Sequence, residues 1–290
     1  MEWYLIALIS ALFSAFAAIL EKKILFKNSA LSLSFVLSFF NLILCIPFFF
    51  FINYSMVSGI ALGILFIKSI LAAVAFLLVM QGIKTMDISR ALPLLVLTPA
   101  LVALFAFIFL GDSLKIIEVV GMAFLLLGSY VLQINGKTGL LSPFKNFIET
   151  KGNYYILGAL ALYTTTAVLD KLLLGGYKVP LSAFMGYQHL FFAIIFFILG
   201  FIFLRDGEIK SSFKFSWKII GVLALATIVY RYSQYYAVSV APVALVLALK
   251  RTAVFLAVLF GGVLFKDKNL LERVVATGLM ILGAVLIIMN

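Results

Sequence analysis

Ten apolar runs, most of them long enough to cross a bilayer, follow one another along this chain with only short polar connections. They lie near 4–20, 32–52, 57–81, 90–110, 116–134, 154–174, 181–204, 217–237, 242–264 and 271–289. The hydrocarbon core of a membrane is about 30 Å thick, which an α-helix of about 20 apolar residues spans. No water is available there to satisfy free N–H and C=O groups, so runs of this length are confined to helices. Composition agrees: of 290 residues, 65% are hydrophobic and 11% charged, with a mean hydropathy of +1.24. Soluble domains carry about 25% charged residues. The expected fold class is therefore an all-α integral membrane protein with ten transmembrane helices.

The net charge of +11 raises the question of nucleic acid, but the distribution of the charge answers it. Connections after odd-numbered runs hold 15 of the 22 Lys and Arg residues, and connections after even-numbered runs hold only Lys115, Lys171 and Lys178. Such a bias orients a membrane protein, with the basic loops in the cytoplasm. It predicts a multi-pass protein of the cell membrane with both termini outside, lipid as its surroundings and no nucleic-acid partner. The first run, from Tyr4 to Leu20, lacks a basic segment before it and a small-residue cleavage pattern after it, so it is read as a retained span.

Catalytic classes find no support. Cys45 and His189 are the only residues of their kinds, so neither a disulfide framework nor a Cys/His metal site is expected. There is no HExxH, no intramembrane carboxylate dyad, no Ser-His-Asp arrangement and no nucleotide loop. The chain is read as a non-enzyme without cofactor or metal.

The two halves resemble each other. Ala18-Ile19-Leu20-Glu21-Lys22 closes the first run, and Ala167-Val168-Leu169-Asp170-Lys171 falls at the matching place in the sixth. Residues 82–135 align without gaps on 237–290, pairing Asp112 with Asp267, Leu127-Gly128 with Leu282-Gly283 and Asn135 with Asn290. This divides the chain into a first five-helix repeat, 1–135, an inter-repeat loop, 136–153, and a second repeat, 154–290. An odd number of spans per repeat forces the second to lie inverted in the membrane. Inverted repeats mark secondary transporters, whose substrate sits near the midplane at the repeat interface. Two inverted five-helix repeats around a central cavity are expected.

Four basic residues remain inside the runs: Lys68, Arg231, Lys250 and Arg251. A charge near the bilayer centre is costly, and it normally faces a water-filled cavity or a partner. Lys250 and Arg251 adjoin in the middle of the run from Pro242 to Leu264. Arg offers a planar fork for carboxylate or phosphate, and Lys a compact point charge. Neighbours on a helix point about 100° apart, so one can meet substrate while the other pairs with an acid. Arg231 lies in Tyr230-Arg231-Tyr232-Ser233-Gln234-Tyr235-Tyr236, where it can stack on rings and still reach an anion. Lys68 has no acid near it in sequence, so its partner must come from another span or from the substrate. Tyr230, Tyr163, His189 and Gln81 complete the proposed substrate-binding set.

The structural alternatives are an ion pair for each cation, an aromatic belt around Arg231, a hydrogen-bonded packing role for His189 and helix packing for the hydroxyls of Thr164, Thr165 and Thr166. Glu21 and Asp170 are assigned as coupling or ion-pair residues, pairing with the adjacent lysines or with a cavity cation. Asp112 and Asp267 are read as caps for the helices that follow them.

Particular residues carry a family likeness. The fourth run reads Leu97-Thr98-Pro99-Ala100 and then Phe109-Leu110-Gly111-Asp112, similar to a proline-bearing span followed by a Leu-Gly-Glu turn, with Asp here for Glu. Gly121 and Gly128 match the glycine spacing of the next span. Leu249-Lys250-Arg251-Thr252 and Phe265-Lys266-Asp267-Lys268 are similar to the ninth span and its exit. Together with the ten-run repeat, these features resemble the drug/metabolite transporter superfamily, its EamA branch in particular, over nearly the whole chain. Organic-phosphate translocators of the same superfamily also carry a Lys-Arg pair in span nine, where it grips phosphate. They have a further lysine four residues before the span-four proline, where this chain has Leu95, and that departure counts against phosphate exchange. Small multidrug members use an acid deep in the first span, where this chain reads Ser10-Ala11-Leu12-Phe13-Ser14.

The resemblance implies alternating access, export of a metabolite and a chain that works as a monomer, because both repeats are present. The excess of cations inside the spans points to an anionic or zwitterionic small-molecule substrate: an amino acid, another carboxylate or an organic phosphate. The rival readings are a lipid or headgroup transporter of scramblase type and a drug efflux pump.

Overall fold

Helix faces in this chain are set by residue size more than by polarity. In the computed structural model, which describes residues 2–25, 28–85, 97–133, 151–204, 206–253 and 270–289, the first helix, α1 (Trp3–Leu25), shows this plainly. Its large residues Leu5, Ile9, Leu12, Phe16 and Ile19 form one exposed stripe, while Ala7, Ser10, Ala11, Ala15 and Ala17 are buried. Without a hydrophobic drive between helices in lipid, small residues let backbones approach and gain close packing. The usual polarity is reversed: large apolar side chains face outward, and Lys68, Asp170, Gln188 and His189 are buried.

The described residues form ten α-helices and no strand. After α1 come α2 (Ala30–Phe49), α3 (Gly59–Thr85), α4 (Thr98–Leu110) and α5 (Ile116–Gln133). The second half holds α6 (Lys151–Lys171), continued by a π-helical turn at Leu172–Gly176, then α7 (Leu181–Phe203), α8 (Asp206–Val240), α9 (Val243–Lys250) and α10 (Leu270–Ile288). Five helices are long and apolar enough to cross a membrane (Trp3–Leu25, Ala30–Phe49, Gly59–Val79, Tyr154–Gly176 and Leu181–Phe203), and α4, α5 and α10 contribute shorter apolar lengths. The chain is a multi-pass membrane protein.

Some boundaries differ from expectation. Helix α8 begins at Asp206, well before the run expected at 217–237, and has 35 residues. At 1.5 Å per residue it is about 52 Å long, so it outruns a core of about 30 Å. Hydropathy marks only the part of a helix that meets lipid, whereas backbone hydrogen bonding continues past it. Helix α9 opens after Pro242, and residues 254–264 of the run, like Arg90, Leu95 and Asp267, fall outside the described residues. The turn after α4 explains its glycine: Gly111 adopts φ +68°, and Asp112 N–H closes the helix end on Ala106 O at 3.2 Å. Such a left-handed position favours a residue without Cβ.

Asp112 does not cap the next helix as the sequence suggested. Glu118 takes that role by accepting from Lys115 N–H at 2.7 Å, half of a capping box. An acid at the third helical residue reaches the free N–H more directly than one four residues before the helix. Asp112 Oδ2 has no hydrogen-bond partner and lies within electrostatic reach of Lys171.

Helix neighbours follow the repeat. Helix α1 packs on α8 as α6 packs on α3, and α2 meets α8 as α7 meets α3. Helix α4 meets α6 as α9 meets α1, and the like pairs α2–α7, α4–α9 and α5–α10 join the halves. The α5–α10 seam shows the inversion directly. A Cβ on Gly121 would stand 2.8 Å from Gly283 O, and one on Gly128 would stand 2.6 Å from Ala276 O. The gapless alignment pairs Gly121 with Ala276 and Gly128 with Gly283, so each contact is the other's repeat mate. Such self-complementary contacts belong to a two-fold axis. Numbers rise along α5 as they fall along α10, so the two helices run antiparallel.

Candidate functional site

The Tyr230–Tyr236 segment of α8 organises the interior through two i, i+4 pairs, each on its own face of the helix. Arg231 and Tyr235 form one: the guanidinium Nη1 donates to the Tyr235 hydroxyl at 3.0 Å. Tyr230 and Gln234 form the other: Lys250 Nζ donates to Gln234 Oε1 at 2.5 Å and sits 4.6 Å from the centre of the Tyr230 ring. Ser10 of α1 fixes the register by donating to Tyr230 O at 2.8 Å.

A buried relay leads away from the first pair. Asp170 at the end of α6 holds Lys68 of α3, with Nζ 2.6 Å from Oδ1. Lys68 also donates to Gln188 Oε1 on α7, and Gln188 Nε2 donates to the Tyr235 hydroxyl at 2.8 Å. The Lys68 ammonium lies 4.9 Å from the Phe184 ring centre and 5.1 Å from that of Tyr235. Four helices thus contribute to one connected path: Asp170, Lys68, Gln188, Tyr235 and Arg231. Burying polar groups in an apolar bundle is costly unless they find partners, and along the path Lys68, Gln188 and Tyr235 each find one.

The expected site residues fall out as follows. Lys68 finds its acid in Asp170, from another span as its isolation in sequence required, and is only 2% exposed. Arg231 is half-buried; its guanidinium lies over the Phe192 and Tyr230 rings at 5.5 and 5.6 Å, and its Nε has no hydrogen-bond partner. Lys250 is the last residue of α9, a helix buried on nearly every side, and Arg251 is its C-cap. Tyr163, half-buried on α6, lies within electrostatic reach of Arg231, Glu21 and Arg251. Glu21 lies within electrostatic reach of both Arg231 and Lys250.

His189 is 1% exposed, and neither ring nitrogen has a hydrogen-bond partner among the described residues, so the hydrogen-bonded packing role does not describe it. Its ring centre lies 6.1 Å from that of Phe192, the ring that also faces Arg231. Gln81 is exposed on α3, about 20 Å along the helix from Lys68, and does not join the path. The hydroxyls of Thr164, Thr165 and Thr166 donate to carbonyls of their own helix at 2.8, 3.0 and 3.1 Å. Lys171 turns from its neighbour Asp170 and donates to Ala241 O at 2.8 Å, at the α8–α9 break.

Sequence reasoning missed three partners: Gln188, Gln234 and Tyr235. Two of them carried a signal, since Gln234 and Tyr235 stand four residues after Tyr230 and Arg231. Gln188 carried a weaker one, an amide inside an apolar run.

Four cations and two acids therefore share the interior, and Lys68 makes a direct ion pair with Asp170. Arg231 and Lys250 are held by a phenol and an amide, neutral groups that orient a cation without cancelling its charge. Among the described residues no group of three or more His, Cys, Asp or Glu could hold a metal ion.

Comparison with known proteins agrees with this architecture. No curated protein matches the chain. One solved structure, titled "Crystal structure of protein", superposes with a TM-score of 0.74 over 98% of this chain and 95% of its own, at 16% identity. The likeness concerns the fold. The profile of the EamA-like transporter family matches residues 1–134 and again 150–289. Covering both halves with the same five-helix unit, that match establishes that the chain belongs to the EamA-like transporter family.

Proposed function

We propose that this membrane transporter moves a small anionic or zwitterionic metabolite, such as an amino acid, another carboxylate or an organic phosphate, outward across the cell membrane. The observation that carries the proposal is the surplus of cations around α8 and α9. Lys68 is matched by Asp170, whereas Arg231 and Lys250 have neutral hydrogen-bond partners. A positive interior with half-buried Glu21, Tyr163, Tyr230, Arg231, Lys250 and Arg251 favours a guest that brings negative charge. Glu21, within electrostatic reach of Arg231 and Lys250, leaves room in the same scheme for a guest that also carries an amine.

In this scheme, repeats 1–135 and 154–290, joined by 136–153, rock against each other about the α8–α9 cluster and open it to each side in turn. One chain holds both repeats and works as a monomer, with both termini outside. Transport rather than catalysis is the family's activity, and binding, orientation and release are all that the cluster needs to perform.

The test is thermal unfolding of the purified protein in acetate, glycine, inorganic phosphate and tetraphenylphosphonium. A solute that binds only the folded state at 100 times its Kd stabilises by about 2.7 kcal/mol. Stabilisation is expected with an anionic or zwitterionic solute and is lost in the Lys250→Ala/Arg251→Ala double variant, together with flux in proteoliposomes. Stabilisation by tetraphenylphosphonium alone, retained in the variant, would return the chain to drug efflux.

A further inference from the structure

The hydrogen bonds around Tyr235 have a fixed direction, and following it leaves one proton without an acceptor. Lys68 carries only donors, so the amide of Gln188 must turn its oxygen toward Lys68. Its NH2 group then faces Tyr235 and donates to the hydroxyl oxygen at 2.8 Å. Arg231 also carries only donors, and its Nη1 donates to the same oxygen at 3.0 Å. A phenol oxygen accepts two hydrogen bonds and donates one. Both acceptances are taken, so the Tyr235 O–H is left as a donor only, and no described residue accepts from it. The opposite amide orientation would set NH2 against an ammonium group and is excluded by the charge on Lys68.

A second observation lies beside the first. Arg231 Nε is buried without a partner, as are both ring nitrogens of His189, and Phe192 lies next to both side chains. Unmade bonds of this kind are costly and call for a water or a ligand atom. The Tyr235 O–H and the Arg231 Nε–H are thus two donors without acceptors on side chains that a hydrogen bond joins.

We infer that Tyr235 is a ligand-binding residue whose hydroxyl donates, together with Arg231, to a carboxylate or phosphate oxygen of the transported molecule, and that Asp170, Lys68 and Gln188 are positioning residues that force this donation. The inference rests on the anion-transport reading above and sharpens it. Lys68 moves from a substrate contact to the residue that sets the direction of the relay.

Titrating acetate and inorganic phosphate separately against wild type and Tyr235→Phe in nanodiscs, with the melting temperature as readout, tests it. Removing a charge-assisted hydrogen bond is expected to weaken the Kd for the stabilising anion about tenfold. A purely structural role would lower the melting temperature without ligand and leave the Kd unchanged, and that result overturns the inference. If wild type itself binds neither anion, the transport reading fails first. Should Tyr235→Phe not fold, O-methyltyrosine at position 235 keeps the oxygen and replaces the proton with a methyl group, and the same loss of affinity is expected. Nanodiscs of phosphatidylglycerol and of phosphatidylcholine separate the sources of the oxyanion. Stabilisation by phosphatidylglycerol that depends on the Tyr235 hydroxyl assigns the donor pair to a lipid headgroup, whereas acetate or phosphate binding in phosphatidylcholine assigns it to a free solute.

Discussion

Glu21 and Asp170 close the matching helices α1 and α6 with nearly the same sequence, yet their surroundings differ. Asp170 is buried against Lys68 at 2.6 Å. Glu21 is half-buried and makes no direct ion pair among the described residues; Arg231 and Lys250 act on it from farther away. The helix packed against each acid explains the difference. Helix α3 brings Lys68 to α6, while α8 brings Ile220, Leu223 and Ala224 to the part of α1 around Ala17 and Ile24. The repeat thus supplies a common frame, and one unmatched lysine makes its two halves chemically unlike: one acid is built into the fold, and the other stays near the cations that we assign to substrate.

The strongest test of this contrast is Lys68→Ala, which leaves Asp170 buried without its partner. Breaking a buried ion pair from one side costs about 3–5 kcal/mol. Reversible unfolding in bicelles should show a loss of that size, with more than half recovered in Lys68→Met/Asp170→Leu. Glu21→Ala should change stability by less than about 1 kcal/mol, the usual range for a residue without a buried partner. Equal losses from the two acids would break the comparison.

A smaller effect is expected at the α5–α10 seam, where the halves are alike. Gly283→Ala places a methyl group 2.5 Å from Gly121 O and should cost about 1–3 kcal/mol by overpacking. Gly278→Ala, in the same helix, meets nothing within 4 Å and serves as its control, with no loss expected in the melting curve. The smallest effect belongs to Ser10→Ala. It removes the α1–α8 hydrogen bond to Tyr230 O, a type of contact worth about 0.6 kcal/mol between membrane helices. A loss above about 2 kcal/mol there would mean that Ser10 positions the Tyr230–Gln234 face as well as packing it.

Much of this was legible in the chain. Run lengths gave the helices because a bilayer accepts little else. The motif repeated at Glu21 and Asp170 gave the two halves, and charges inside apolar runs marked Lys68, Arg231, Lys250 and Arg251 as unusual. The i, i+4 spacing within Tyr230–Tyr236 also held the grouping of Arg231 with Tyr235 and of Tyr230 with Gln234. Helix limits were less legible at α8, where polar residues continue a helix past the lipid.

By itself, then, the sequence determined the membrane, the ten helices, the duplication and which residues carry buried charge, because each of these is a local property of length, hydropathy or spacing. Only the tertiary structure decided which acid meets which cation. Lys68 and Gln188 stand 120 positions apart, on helices that are apolar almost all round and so carry no stripe to aim them. Close approach of small residues sets how such helices turn, and that turn placed Lys68 on Asp170 and left Arg231 and Lys250 to neutral partners.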